Sequence, residues 1–191
     1  MTRLTPGFAD PVLDAQASFR AILEAMSRPG RIQRIEARIT PPAPLCSAAG
    51  AALLSLADAD TPLWLDAGDA VADWLRFHCG VPITPEISAA RFVLACGAAP
   101  LLETLDIGTD EDPQLGATLI LQVAGLVAGD GWRLTGPGIQ HEHRLRVLGA
   151  PAGFVAAWAR NQAFFPRGVD MLLCAGDSIA ALPRSVMIAE D

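Results

Sequence analysis

The stretch 161–184 constrains the fold more than any other part of the chain, because it reads as two adjoining buried strands. Phe165-Pro166 ends a preceding helix pattern, since the residue before a proline disfavours helical geometry. Residues 169–175 are an apolar run with the length of a buried strand, and residues 179–182 form a second one. Gly176-Asp177 between them predicts a turn. We therefore expect a strand pair at the centre of the molecule, with the rest of the chain packed around it.

Helix and strand patterns alternate through the rest of the sequence. Helix starts are predicted at Asp10-Pro11, Ser47, Asp69 and Pro151, and strands at 63–65, 91–96, 118–123 and 144–148, with a turn at 129–131. The first helix carries an apolar stripe that we expect to face the core, formed by Val12, Ala15, Phe19, Ile22 and Met26. This order predicts an α/β fold: a three-layer mixed β-sheet with helices on both faces. No linker divides the chain, so residues 1–191 are predicted to form one domain.

Composition bounds the location and the partners. The chain has 191 residues, of which 51% are hydrophobic and 18% charged, and this excess of apolar residues predicts an oligomer or a larger assembly. A net charge of −7 argues against binding to nucleic acid or to an anionic membrane. The longest apolar stretch, 117–128, is too short to cross a bilayer. Residues 1–6 contain no apolar export signal and the four cysteines form no C-x-x-C pair, so we expect a cytoplasmic protein with reduced thiols.

The chain contains 14 arginines and no lysine. A pyridoxal phosphate aldimine requires a lysine, as does the phosphate loop of P-loop nucleotide-binding proteins. We therefore expect no cofactor of the pyridoxal phosphate type. A phosphate group, if one is bound, would be held by arginine side chains and backbone N–H groups.

The strongest candidate site residues are the charges that flank the strand pair. Arg167, Asp170 and Arg184 lie at the ends of predicted buried elements, where a charge needs either a partner or a cleft. Two interpretations remain open: an ion pair that only stabilises the strand ends, or a ligand- or partner-binding edge. Gly136 and Gly138 enclose a proline in a tight turn whose N–H groups could approach an anion.

Four other groups of residues favour ordinary structure over chemistry. His141-Glu142-His143 has two imidazoles but no further ligands nearby, so we predict a polar loop that leads into a strand and no metal site. The acidic loop 106–113 is expected to be solvated surface. Four arginines, Arg20, Arg28, Arg31 and Arg34, are expected on a solvated face with Glu24 and Glu36, with a phosphate-facing cluster as the alternative. The serines and cysteines show no nucleophile motif.

Several short motifs, taken in order, resemble the PhnH family of the bacterial carbon–phosphorus lyase. The motifs are Gly7-Phe8-x-x-Pro11, Phe19-Arg20, Ala25-Met26-Ser27-Arg28-Pro29-Gly30, Leu134-Thr135-Gly136-Pro137-Gly138-Ile139, Asn161 with Phe165-Pro166-Arg167-Gly168-Val169-Asp170, and Leu182-Pro183-Arg184-Ser185. Each motif is modest alone, but the ordered set spans almost the whole chain. The whole chain therefore resembles a single PhnH domain.

The resemblance implies a fold like that of the pyridoxal-phosphate-dependent transferases, without the cofactor. It also implies a homodimer that assembles with partner subunits G, I and J of the lyase. That system joins an alkylphosphonate to the ribose of MgATP, so MgATP is a substrate of the complex. Radical and nucleosidase chemistry are placed by the resemblance on the J and I subunits. The family supplies no agreed catalytic residue to carry over to this chain.

Two functional hypotheses follow. In the first, the protein is a non-catalytic, accessory subunit of a phosphonate-degrading assembly with lyase and transferase activities. In the second, it is an independent phosphonate- or nucleotide-binding enzyme that holds phosphate with arginines. The absence of a self-contained catalytic set favours the first hypothesis.

Overall fold

A computed structural model describes residues 5–190 of the protein. Within that range the strands are β1 (Gln33–Arg34), β2 (Leu63–Leu65), β3 (Phe92–Ala95), β4 (Thr118–Gln122), β5 (Gly125–Thr135), β6 (His143–Leu148), β7 (Asp170–Ala175), β8 (Ser178–Leu182) and β9 (Met187–Ala189). The prediction that the N-terminus lacks an export signal concerns residues 1–6, of which 1–4 lie outside the described residues.

The α-helices of residues 5–190 are α1 (Pro11–Ser27), α2 (Ser47–Leu56), α3 (Asp69–Cys79) and α4 (Phe154–Gln162). Asp10 caps α1 as predicted, because its carboxylate accepts hydrogen bonds from the N–H groups of Val12 and Leu13. In α2 and α3 the caps are Cys46 and Gly68, one residue before the predicted Ser47 and Asp69. No helix in the described part of the chain is both long and apolar enough to cross a lipid bilayer.

The central element is a six-stranded mixed sheet in the order β1-β8-β7-β4-β3-β2. Strands β2, β3, β4 and β7 run parallel to one another. β8 returns antiparallel to β7 through the turn at Gly176-Asp177, with Met171 opposite Leu182. The predicted strand pair is therefore confirmed, and so is a mixed sheet, in which the pair forms the second and third strands.

A smaller antiparallel sheet, in the order β6-β5-β9, was not predicted. The expected turn at Gly129–Gly131 is wrong, because the chain does not reverse there. These residues form a bulge inside the long strand β5, where the pairing with β6 shifts between Ala128 and Trp132. A bulge uses the same glycine-rich sequence as a turn, which explains the error.

Side chains alternate across the central sheet and build a core on each face. On one face, Leu172 and Cys174 of β7 pack among buried residues of α1, α2 and α3. On the other face, Met171 and Leu173 pack against the smaller sheet and against Phe154 and Trp158 of α4. The predicted three-layer arrangement with helices on both faces is confirmed, with a second sheet added to one outer layer.

The predicted core stripe of α1 is wrong in its first half. The residues of α1 that are buried are Ser18, Ile22 and Ala25, while Val12 is 64% exposed and Phe19 is 43% exposed. Helix α1 packs on α2, whose alanine-rich surface accepts small side chains at close approach. The larger apolar residues of α1 therefore remain on its outer side.

Candidate functional site

Asp170 and Arg184 meet because β7 and β8 are antiparallel neighbours. The start of β7 lies beside the end of β8, which brings the two side chains together. Arg184 Nη2 lies 2.6 Å from Asp170 Oδ2, and Arg184 Nε donates to Oδ1 at 3.1 Å. The backbone N–H of Arg184 also donates to Oδ1, at 2.8 Å. The pair is mostly buried, with side-chain exposures of 12% for Arg184 and 19% for Asp170.

The remaining arm of Arg184 reaches a neighbouring loop. Its Nη1 donates to the backbone oxygen of Pro113, which opens a short 3-10 turn before β4. Each guanidinium nitrogen of Arg184 is therefore engaged within the protein. This geometry agrees with the first of the two interpretations, an ion pair that holds strand ends and a loop together.

Arg167 lies apart from this pair. Its Nε is 3.0 Å from Oδ1 of Asp110, in the acidic loop, and its guanidinium carbon lies 5.8 Å from the ring centroid of Phe164. Phe164 and Phe165 are both exposed. Of the three charges singled out in sequence, the structure joins two and leaves Arg167 on a neighbouring, partly apolar surface.

Asn161, near the end of α4, is hydrogen-bonded to Val169, the residue that precedes β7. Its side-chain amide donates to the oxygen of Val169 at 2.9 Å, and its oxygen accepts from the N–H of Val169 at 2.8 Å. Asn161 is only 4% exposed. Such a two-way bond mimics a backbone pair, and it satisfies polar groups that burial would otherwise leave without partners.

The turn at Gly136–Gly138 joins two distant segments by close backbone approach. A Cβ on Gly138 would lie 2.2 Å from the backbone oxygen of Ser27, at the end of α1. A Cβ on Gly136 would lie 3.1 Å from the oxygen of Ser185, directly after Arg184. Both glycines also have positive φ, so a side chain is disfavoured on two grounds.

The motifs that are scattered along the sequence therefore meet in space. His143 Nδ1 lies 2.6 Å from the oxygen of Pro29, and the N–H of Gly30 donates to the oxygen of Ala181. Together with the contacts above, these bonds connect four segments that we call the motif cluster. Its segments are 27–30, 136–143, 161–170 and 181–186.

A polar cavity of about 510 Å³ opens at one end of the motif cluster. Its walls come from residues 27–31 and 138–143, and its charged or titratable lining residues are Arg28, Arg31, His141, Glu142 and His143. His141-Glu142-His143 leads into β6 as predicted. The convergence of these two segments was missed, because Pro29 and His143 are 114 positions apart and no local pattern links them.

The predicted arginine face divides in the structure. Arg28 pairs with Glu24 at 3.0 Å as expected. Arg34 pairs with Asp177 of the β7–β8 turn, at 2.6 Å, and not with Glu36. The hydrogen bonds from Arg34 lower the pKa of the Asp177 carboxyl. Arg28 and Arg31, but not Arg20 or Arg34, line the polar cavity.

An apolar pocket of about 320 Å³ lies beside α4, on the side that carries Arg167. It is lined mainly by leucine, isoleucine, alanine and phenylalanine side chains, among them Leu101, Ile107 and Phe164. Glu103 and Arg160 form an exposed ion pair at its rim, at 3.7 Å. The pocket presents apolar surface and offers few polar groups for chemistry.

The titratable groups show no metal centre or reactive thiol among the described residues. No group of three or more His, Cys, Asp or Glu side chains within residues 5–190 is placed to hold a metal ion. The four cysteines are free thiols. Burial raises the pKa of the Cys96 thiol to about 12 and raises that of buried Cys174 as well, so both favour the unreactive protonated form.

Comparison with known proteins agrees with the ordered motifs. A family model described as bacterial phosphonate metabolism protein (PhnH) matches residues 6–189. The chain is 36% identical over 189 residues to the alpha-D-ribose 1-methylphosphonate 5-triphosphate synthase subunit PhnH of Rhizobium meliloti (strain 1021), and the match covers 96% of this chain and 94% of that protein. It is 37% identical over 177 residues to HtxG of Stutzerimonas stutzeri, whose name assigns it provisionally to a C-P lyase, with 91% and 85% covered. The chain belongs to the PhnH family of bacterial phosphonate metabolism proteins.

Proposed function

We propose that this protein is an accessory, non-catalytic subunit of a carbon–phosphorus lyase assembly in organic phosphonate catabolism. In this role it supports the transfer of an alkylphosphonate to the ribose of ATP. The observation that carries the proposal is the match over nearly the whole chain to a relative named as a subunit of ribose 1-methylphosphonate 5-triphosphate synthase.

The geometry of the motif cluster supports an accessory role. The side chains of Asp170, Arg184 and Asn161 form hydrogen bonds with other groups of the protein itself. Gly136 and Gly138 serve close backbone packing. Internal hydrogen bonds and close backbone packing of this kind make the motif cluster a rigid scaffold. A rigid scaffold suits a subunit that positions its neighbours.

The proposal includes a homodimer and contacts with lyase subunits G, I and J. Exposed apolar side chains support an interface in an assembly, because a contiguous apolar patch on a protein surface commonly marks a site of protein–protein contact. The outer side of α1 presents Val12, Leu13, Phe19 and Leu23, each at least 43% exposed. Arg167, next to exposed Phe164 and Phe165, remains a candidate partner-binding residue.

The chemistry of the proposed assembly lies largely outside this chain. We propose that the protein carries no cofactor of its own, has the fold of the pyridoxal-phosphate-dependent transferases without their lysine, and acts in the cytoplasm. MgATP is then a substrate of the complex, and the lyase and transferase steps take place with other subunits. The absence of lysine from all 191 residues supports this division.

The alternative is an independent phosphonate- or nucleotide-binding enzyme that uses arginines for phosphate. One observation favours it: Arg28 and Arg31 line a polar cavity large enough for a small ligand. Against it, the serine that lines the cavity, Ser27, donates its hydroxyl to the backbone oxygen of Glu24 and has no hydrogen bond to a histidine within residues 5–190. Binding at the cavity is also compatible with an accessory subunit, so the two functions differ in whether the isolated chain turns over a substrate.

Growth of a gene deletion strain tests the proposed function. Removing the gene from its host should abolish growth on methylphosphonate as the sole phosphorus source, while growth on inorganic phosphate should be unchanged. Restoring the gene should restore growth. Normal growth of the deletion strain on methylphosphonate would contradict a role in phosphonate catabolism.

A further inference from the structure

The polar cavity next to Gly138 has two arginine side chains in its lining, in a protein that is acidic overall. Arg28 and Arg31 follow the end of α1, and His141 and His143 come from the opposite wall. The chain as a whole carries a net charge of −7. A local concentration of cations against that background attracts anions to this place on the surface.

Arg31 is free to bind a ligand. It forms no ion pair or side-chain hydrogen bond with any residue in the described range 5–190, and its side chain is exposed at the cavity. Arg28 contacts Glu24 through Nε at 3.0 Å, which leaves its terminal nitrogens for other acceptors. Guanidinium groups of this kind bind the oxygens of phosphate and phosphonate through paired N–H donors.

The acidic side chain that lines the cavity is already paired. Glu142 Oε1 lies 3.1 Å from Nε of Arg144, on the strand that follows. This pairing reduces the repulsion that the Glu142 carboxylate would exert on an incoming anion. The charge of Arg31 therefore remains the main unpaired charge at the opening.

His143 is held in one orientation. A backbone carbonyl only accepts hydrogen bonds, so the contact of 2.6 Å between Nδ1 and the oxygen of Pro29 requires a proton on Nδ1. Nε2 is then available to a ligand. It can accept a hydrogen bond from a P–OH group when the ring is neutral, or donate one to a phosphoryl oxygen when the ring is protonated. The close approach of Gly138 to Ser27 holds the two cavity walls together.

We propose that this cavity binds the phosphoryl or phosphonyl group of a small molecule, with Arg31 and Arg28 as its ligands and His143 as an oriented third contact. The proposal deepens the proposed function and rests on it for the class of ligand, since the relative is named for a product that carries both a phosphonate and a triphosphate. A volume of about 510 Å³ accommodates more than a bare phosphate group.

Calorimetric titration of the isolated full-length chain tests the site with three probes: methylphosphonate, inorganic tripolyphosphate and ATP. Binding of at least one probe at one site per chain is expected. Arg31→Ala should weaken it by about tenfold or more, because it removes a charge-assisted pair of hydrogen bonds, and Arg31→Lys should restore part of the loss. Arg76→Ala, which removes another exposed charge, on α3, is the control and should leave binding unchanged.

The outcomes are distinct from those of the growth test. Binding of methylphosphonate alone identifies the phosphonate end as the ligand, and binding of tripolyphosphate and ATP identifies the triphosphate end. The proposal is overturned if none of the probes binds, or if Arg31→Ala and Arg76→Ala weaken binding equally. If no probe binds but the deletion strain fails to grow on methylphosphonate, the ligand site is ruled out and the accessory role stands.

Discussion

At the scale of single residues, Asp170 and Arg184 connect the ends of β7 and β8 to the loop at Pro113. Removing Arg184 would leave the Asp170 carboxylate mostly buried without its cation, and such losses cost about 3 kcal/mol or more. Arg184→Ala should therefore lower the free energy of unfolding by about that amount in urea denaturation. The control is Arg146→Ala, whose ion pair with Asp130 is more than half exposed and should be worth less than about 1 kcal/mol. Equal losses of unfolding free energy in the two variants would show that the buried pair stabilises the fold no more than the exposed pair does.

The thiols give a second residue-scale prediction, on pH. Desolvation, followed by the nearby Asp66 carboxylate, raises the folded-state pKa of Cys96 from 9.0 to about 12. Above pH 9.0 the unfolded chain loses the thiol proton while the folded chain keeps it, so stability from this source is fully present below 9.0 and declines as pH rises towards 12. The denaturation midpoint should fall over that range, and less so in Cys96→Ala. An identical decline in the variant would assign the effect to other groups.

Residue identity alone could reveal only part of this site. The charges Arg167, Asp170 and Arg184 could be selected from sequence because they flank apolar runs. The pairing of Asp170 with Arg184 depends on the antiparallel register of β7 and β8, which the turn at Gly176 made predictable. The role of Asn161, and the meeting of Arg31 with His143, depend on contacts between distant segments, for which the sequence contains no local signal.

At the scale of elements, the turn 136–138 packs between α1 and the segment after β8. Gly138 and Gly80 both have positive φ, so replacing either by alanine costs about 1–2 kcal/mol in backbone strain. Gly138→Ala also forces a clash with the Ser27 oxygen, whereas nothing lies within 4 Å of a Cβ at Gly80. Gly138→Ala should therefore lower the thermal unfolding midpoint more than Gly80→Ala, by an extra amount equivalent to about 1–3 kcal/mol. Equal shifts would mean that the turn is not tightly packed.

Elements were predicted well where their signal was local and poorly where it was not. The cap at Asp10 and the β7–β8 pair follow from short-range chemistry. The outward position of Phe19 does not, because periodicity identifies an apolar stripe without saying which neighbour covers it. The bulge in β5 was mistaken for a turn because both use glycine at positive φ.

At the scale of the whole molecule, alternating helices and strands predicted the layered α/β class, and tertiary pairing added the small sheet β6-β5-β9. The large apolar fraction of the sequence is only partly explained by two cores, because α1 and the surface around Phe164 still expose apolar side chains. We propose that an assembly covers these surfaces and so explains the remainder. This is the link between the composition and the proposed accessory role.

Native mass spectrometry after co-expression with the neighbouring phosphonate-operon subunits tests that role most directly. We expect the protein to be recovered in one stable assembly with subunits G, I and J, at a defined stoichiometry that includes two copies of this chain. Recovery of the protein alone, as a clean monomer or dimer while the other subunits assemble without it, would contradict the accessory role and favour an independent ligand-binding protein.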